Sequence, residues 1–291
     1  MNIAPPYEAE PVTTDLRMFL DRKVEEYNKR SFIAGDPISI PHGYRKKQDI
    51  EIAGFFTAIF SWGNRTSIIN KSQELMQYMD HSPHQFVLQH TDKELKKLLG
   101  FKHRTFNATD LLYFIEFFKQ HYSVYDSLED AFLPGRGNAR GAGDAGDAGG
   151  RLDAYDAGAA LSAFCHYFFS LEAIDEGGSV APLIPPRTRK HIASPEKKSS
   201  CKRLNMFLRW MVRKDNMGVD FGLWKRIPMS GLICPLDVHV ARVAKRFGLL
   251  TRVPTDWQAA LELTESLSRL DPEDPTKYDF ALFGLGAIEK F

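Results

Sequence analysis

Asp237 and Lys202, 35 residues apart, are the two residues of this chain whose settings suggest chemistry. Asp237 follows the Pro235-Leu236 pair. It precedes a segment with Val240, Val243, Ala244 and Phe247 on one face and Gly248 at its end. Apolar residues at i, i+3, i+4 and i+7 between an acidic start and a glycine stop predict a short amphipathic helix. Asp237 would accept backbone N–H groups at the positive end of that helix, and both effects hold a carboxylate ionised. Such a group can stabilise a developing cation or position a water; the plainer alternative is a simple cap. Lys202 follows the polar turn Ser194–Cys201 and precedes Leu204, Phe207, Leu208 and Met211 at helical spacing, so it falls in a first helical turn. The helix dipole and the adjacent Arg203 both disfavour its ammonium form there. A neutral amine is what attack on an electrophilic carbon requires. The alternative is an ordinary solvated lysine.

The stretch Pro235-Leu236-Asp237-Val238-His239-Val240 and the helix after it resemble the aspartate-bearing motif of the helix-hairpin-helix DNA glycosylases, with Asp237, His239 and Arg242 at matching positions. In bifunctional members a hairpin turn precedes a lysine that opens the next helix, and Lys202 occupies that place. The resemblance implies that Asp237 stabilises an oxocarbenium-like sugar and that Lys202 attacks C1′. The 35-residue separation exceeds that of the endonuclease III-like branches and is closer to an archaeal 8-oxoguanine glycosylase branch. The turn Lys198-Ser199-Ser200-Cys201 replaces the usual Gly-x-Gly. The nearest likeness is to an uncharacterised bacterial family of distant relatives of these enzymes.

Charge is concentrated around the candidate lysine. Residues 187–226 hold twelve Lys/Arg against three acids, although the whole chain carries only +1. A local positive field on an otherwise acidic body is the footprint of a nucleic-acid face, and a solvated helix face is the competing explanation. Lys198, Ser199, Ser200, Arg203, Arg209 and Arg242 are the candidate DNA contacts. Trp62, Asn64 and Arg65, at the end of an apolar helix, match the family turn that wedges into a duplex as a base is extruded. Core packing and helix capping are the alternatives for those three. Gly100–Arg104 corresponds to a second DNA-proximal turn. Tyr278, Phe280 and Phe283 are stacking candidates for a base pocket, or core aromatics.

Helical periodicity dominates the elements around these residues. Segments starting near Thr14, at Ile50, Ser67, Thr91, Asp110 and Thr255 read as helices, Thr91 and Thr255 as capping boxes, and strand-type alternation is almost absent. The expected fold is all-α: two helical subdomains, about 1–45 with 160–291 and 46–133, with a DNA-binding groove between them. A Gly/Ala/Asp-rich stretch at 134–157 is expected to be a flexible insertion, because so little apolar content cannot offset the entropy of ordering.

At 43% hydrophobic residues the 291-residue chain can bury a substantial core. Cys165, Cys201 and Cys234 lack metal-ligand spacing, so neither a disulfide framework nor a structural zinc is expected. The four-cysteine iron–sulfur loop of some glycosylases has no counterpart, and no cofactor or metal is expected. The first residues lack a basic start and an apolar stretch, and apolar runs are short, so the expectation is a cytoplasmic protein with no membrane partner. Damaged duplex DNA is the expected partner. The sequence thus points to a base-excision glycosylase, with strand scission if Lys202 forms a Schiff base. A non-catalytic nucleic-acid-binding module using residues 187–226 and a helical interaction scaffold stand as alternatives.

Overall fold

A computed structural model describes residues 14–133, 152, 154–174, 180–182 and 185–291. Its helices are α1 (Thr14–Tyr27), α2 (Arg30–Ile33), α3 (Lys47–Phe60), α4 (Arg65–Tyr78), α5 (Pro83–Gln89), α6 (Asp92–Lys97), α7 (Ala108–Tyr122), α8 (Ala157–Phe168), α9 (Lys202–Val212), α10 (Val238–Arg246), α11 (Trp257–Ser268) and α12 (Tyr278–Phe283). Two short antiparallel ribbons, Lys102–His103 with Phe106–Asn107 and Glu172–Ile174 with Val180–Pro182, are the strands among the described residues. The protein is therefore all-α in essence. Among the described residues no helix is long and apolar enough to cross a membrane.

Capping explains several helix starts. Thr91 and Glu94 form the expected capping box on α6, and Asn107 with Asp110 forms another on α7. At α11 the cap is Asp256, accepting from Ala259 N–H at 3.0 Å, and not Thr255. A carboxylate on that free N–H outcompetes the preceding hydroxyl.

Two hydrophobic clusters fill the interior. The larger surrounds α3, whose residues 50–60 are all buried, as expected for a helix apolar on every side. Phe55 and Phe56 of α3 meet Phe114 and Phe118 of α7, and Phe55 also meets Phe164 of α8 and Phe207 of α9. One carboxylate sits inside this apolar mass. Glu51 accepts from Tyr122 Oη (2.9 Å), Ser127 Oγ (2.6 Å), the Leu128 N–H (3.1 Å) and Trp224 Nε1 (2.6 Å). These donors replace the water that burial removed. The second cluster joins Leu20 and Val24 of α1 to Val240, Val243, Leu263, Leu267, Ala281 and Leu282 of α10, α11 and α12. Phe280 and Trp257 reach across into the first.

This partition differs from the expected one: α8 and α9 pack with α3 and α7, so the first cluster extends far beyond residue 133 and the second takes only α1 and the last three helices. The aromatic faces of α8 and α9 find their matching apolar surface on α3, which sequence adjacency does not reveal. The expected flexible insertion lies outside the described residues at 134–151 and 153. Its end is fixed, contrary to expectation. Tyr155 is buried with its hydroxyl on Phe132 O at 3.2 Å, and Asp156 caps α8 through Ala159 N–H.

His121, on α7, is fully buried between Tyr167 Oη at Nδ1 and Ser127 O at Nε2, both at 3.0 Å. Burial pushes its imidazole down to about 4. The folded state therefore binds this proton more weakly than the unfolded chain, whose histidine titrates near 6.5. Stability from the neutral ring is fully present above pH 6.5 and is lost as pH falls toward 4, by up to about 3 kcal/mol. Urea midpoints measured from pH 7 to pH 4 should show this fall, and His121→Gln should flatten the pH dependence whatever it does to stability at pH 7.

Candidate active site

Asp237 begins α10 with an extended backbone, and its Oδ1 accepts both the His239 and Val240 N–H groups at 2.8 and 2.9 Å. Pro235 and Leu236 just before it are buried, which fixes where the chain enters the helix. With Oδ1 bound to the backbone, Oδ2 lies 3.5 Å from Lys202 Nζ. The lysine side chain is 32% exposed and the aspartate 15%, so the pair is reachable from solvent and neither group is sealed in the core.

Lys202 is brought there by an unusual turn. Pro195–Lys197 form a single 3-10 turn, Lys198 and Cys201 both take left-handed backbone angles (φ 60° and 50°), and α9 starts at Lys202. Non-glycine residues pay about 1–2 kcal/mol each for that conformation. Local bonds offset it: the Cys201 N–H donates to Ser199 Oγ (3.2 Å), and Asn205 Nδ2 donates to Ser200 O (3.0 Å). The Trp257 N–H donates to Lys198 O (3.2 Å), which ties the turn to the start of α11. Ser199 thus braces the turn, and the element ahead of it is a 3-10 turn where a two-helix hairpin would have an α-helix.

The pair lines a small pocket between the two clusters, of about 50 Å3. Its walls include Phe32, Met206, Trp210 and Phe283, and it contains two further carboxylates, Asp36 and Asp279. Asp279 is 6% exposed and paired with Arg209; burial pushes its carboxyl up to about 6 against the pull of that guanidinium. Asp36 is 9% exposed and caps a 3-10 turn through Ile38 N–H at 3.1 Å; burial raises its carboxyl as well. Sequence reasoning missed both. An Asp-Pro start for Asp36 and the spacing of Asp279 one turn before Phe283 were the available signals.

Several expected DNA contacts are placed elsewhere. Arg203 donates to Ile59 O (2.6 Å) and His191 O (3.1 Å), and desolvation lowers its guanidinium to about 10. It staples α9 to the end of α3. Arg209 is 5% exposed, held by Asp220 and Asp279 and stacked 4.4 Å from the Phe280 ring centre. Arg242 is exposed, but it donates to Phe291 O (3.1 Å) and Gly286 O (2.6 Å), tying α10 to the chain's last turn. Of the expected cations only Lys198 stands free in solvent on the turn itself, exposed beside half-buried Ser199 and Ser200. The positive segment is less of a face than its composition suggests, because Arg213 and Arg226 are also paired internally, with Asp215, Asp220 and Asp274 and with Glu129 and Asp130.

The expected wedge and pocket residues divide similarly. Trp62 is half-buried with the Arg104 guanidinium 4.4 Å above its ring. Asn64 caps α4 through Ser67 N–H at 3.2 Å. Neither lines the pocket. Arg65 does reach its rim, 3.9 Å from Asp36 Oδ2 and 5.4 Å above the Phe283 ring. Tyr278 and Phe280 are core residues, at 0% and 1% exposure, and are corrected as stacking candidates; Phe283 alone of the three opens into the pocket. The glycine-flanked turn of residues 100–104 also stays away from it, with His103 bonded to Phe60 O.

The family described as "Protein of unknown function (DUF2400)" matches residues 36–288, and the chain belongs to it. Neither the curated proteins nor the solved structures contain a match to this chain.

Gly286 helps hold Asp237 in place. A methyl group there would lie 2.8 Å from His239 O and 3.0 Å from His239 Cβ, contacts that only movement of the α10 backbone can relieve. Gly286→Ala should cost about 1–3 kcal/mol by overpacking and lower the melting temperature by several degrees. Because the displaced residue is one of the two whose N–H groups bind Asp237, thermal melts and amide exchange at His239 and Val240 should change together.

Proposed function

We propose that this protein excises damaged bases from DNA and cleaves the resulting abasic strand, through a Schiff base on Lys202. The observation that carries the reading is the 3.5 Å approach of Lys202 Nζ to Asp237 Oδ2 at the starts of two helices, beside a pocket walled by aromatic residues. Reaching C1′ requires the nucleotide to leave the stack, and an aromatic-lined recess next to the reacting groups would receive the base.

The residues divide the work as follows. Asp237 takes a proton from the Lys202 ammonium, and the freed lone pair forms the N–C1′ bond. The C1′–base bond breaks and its electron pair leaves with the base, which is protonated by Asp237. The secondary ammonium so formed then gives its second proton to the Asp237 carboxylate, which leaves a neutral amine on C1′. The nitrogen lone pair then opens the C1′–O4′ bond, O4′ takes the proton, and a protonated Schiff base results. The Asp237 carboxylate then takes a C2′ proton, the C2′=C3′ double bond forms, and the C3′–O bond breaks with its electron pair leaving on the 3′-phosphate. Once it has passed its first proton to the departing base, the Asp237 carboxylate, held in orientation by two backbone N–H groups, faces the positive charge on the adduct without having to reorganise.

The rival reading, a module that only grips nucleic acid with residues 187–226, draws no support from a specific feature, since Arg203, Arg209, Arg213 and Arg226 are engaged within the protein.

Borohydride reduction tests the proposal. Incubated with abasic and 8-oxoguanine duplexes in the presence of borohydride, the wild-type protein should become covalently linked to DNA. Lys202→Ala should abolish the adduct. Asp237→Asn keeps a competent helix cap and should slow its formation by 10²-fold or more, the scale of a lost acid–base group. An adduct that forms equally well with Lys202→Ala, or none with wild type across a panel of lesions, overturns the assignment.

A further inference from the structure

A cavity of about 210 Å3 lies between the end of α4, α5 and the first turn of α6, and shares no residue with the Lys202–Asp237 pocket. Its floor is apolar, formed by fully buried Met79 and by Phe86. Its walls are rich in acceptors. Two left-handed residues in succession, Asp80 and His81 (φ 49° and 53°), end α4 and set Asp80 on the wall. Their N–H groups donate to Gln77 O and Met76 O, and the Asp80 carboxylate has no ion-pair partner among the described residues. Glu94 uses Oε2 in the capping box, accepting from the Thr91 N–H and Oγ1 at 2.7 Å each, which leaves Oε1. His90 Nδ1 lies 3.0 Å from Phe86 O; a carbonyl only accepts, so Nδ1 donates and Nε2 of the neutral ring is a further acceptor. Ser82 and Gln89 add groups that bond either way, and neither lysine nor arginine lines the cavity.

We propose that this cavity binds a guanidinium group, with the Asp80 and Glu94 carboxylates as its acceptors and Phe86 as the face against which its plane rests. The site is independent of the chemistry at Lys202. Two carboxylates with no lysine or arginine beside them repel an anion and match a cation that donates hydrogen bonds. Among the described residues no group of three His, Cys, Asp or Glu is arranged to hold a metal, which points to an organic cation. The volume falls below the about 300 Å3 at which drug-sized sites begin, so it suits one side chain or a molecule of that size. Guanidinium fits better than ammonium for two reasons. Its five N–H donors fan out in one plane toward acceptors carried by three elements, whereas an ammonium gathers three donors on one atom. Its flat face also stacks on aromatic rings, and Phe86 and His90 lie 5.7 Å apart with their planes 31° from parallel. An α-carboxylate beside the guanidinium would be repelled by the same two acids. The group therefore comes from an arginine within a peptide or from a guanidino amine without a carboxylate.

Titration of the full chain with four compounds at constant ionic strength tests the site: Nα-acetyl-arginine methylamide, agmatine, free arginine and Nα-acetyl-lysine methylamide. Backbone amide NMR shifts show where each one binds. The acetylated arginine and agmatine should give saturable shifts at residues 79–94. The lysine compound and free arginine should bind at least about fivefold more weakly. Asp80→Asn suits a left-handed backbone, and Glu94→Gln keeps the capping box, so both variants should melt close to the wild-type temperature. Each should weaken the acetylated arginine by about fivefold or more, the scale of one lost hydrogen bond to a charged group. Tighter binding of the acetylated arginine than of agmatine assigns the site to a peptide, and the reverse assigns it to a small guanidino amine. No saturable shift below about 10 mM, equal binding of the lysine compound or of free arginine, or unchanged binding by both folded variants would overturn the proposal.

Discussion

A single carboxylate joins the two halves of the site. Asp237 Oδ1 binds two N–H groups at the start of α10, and Oδ2 faces the Lys202 ammonium at the start of α9. The first interaction fixes the second: an aspartate free to rotate would meet the lysine in many geometries, whereas a doubly bonded cap has one free oxygen in one place. The ion pair is partly exposed, so its value lies in position more than in stability.

The surroundings keep that position. α10 belongs to the smaller apolar cluster and α9 to the larger, so the pair spans the boundary between them. Across the same boundary, Arg209 and Arg213 of the α9 region meet Asp220, Asp274 and Asp279, and both guanidinium groups lie over Phe280. Buried charges of this kind tolerate little movement, because separating a partner leaves an unpaired charge in the interior. The close approach of Gly286 to His239 adds a steric stop at the first turn of α10. The left-handed Lys198 and Cys201 are strained residues in the turn that delivers Lys202, and such strain persists only where neighbouring contacts hold it.

Much of the helical framework was legible in the sequence because it depends on local patterns. The amphipathic stripe after Asp237, the Thr91 capping box and the apolar run of α3 each encode their element within a few residues. The two residues singled out for chemistry each open a helix, which the local pattern shows, but their roles came from the motif resemblance and not from spacing; the structure brings them within 3.5 Å. What failed depended on long-range partners. Arg203, Arg209 and Arg242 read as surface cations because nothing nearby in sequence shows the carbonyls of Ile59, His191, Gly286 and Phe291 or the carboxylates of Asp220 and Asp279 that hold them. Tyr278 and Phe280 were indistinguishable from Phe283 by spacing, since which side of α12 faces the core is decided by α1 and α10. Asp36 escaped notice because its pocket forms only once residues from across the chain assemble around it.

The account turns on which nitrogen meets the sugar. The most direct measurement is peptide mapping by mass spectrometry of the borohydride-reduced protein–DNA adduct. The account predicts that the reduced sugar remnant is attached at Lys202, on the peptide that joins the 198–201 turn to α9. Attachment at another lysine, or at scattered lysines such as Lys197 and Lys198, would contradict it.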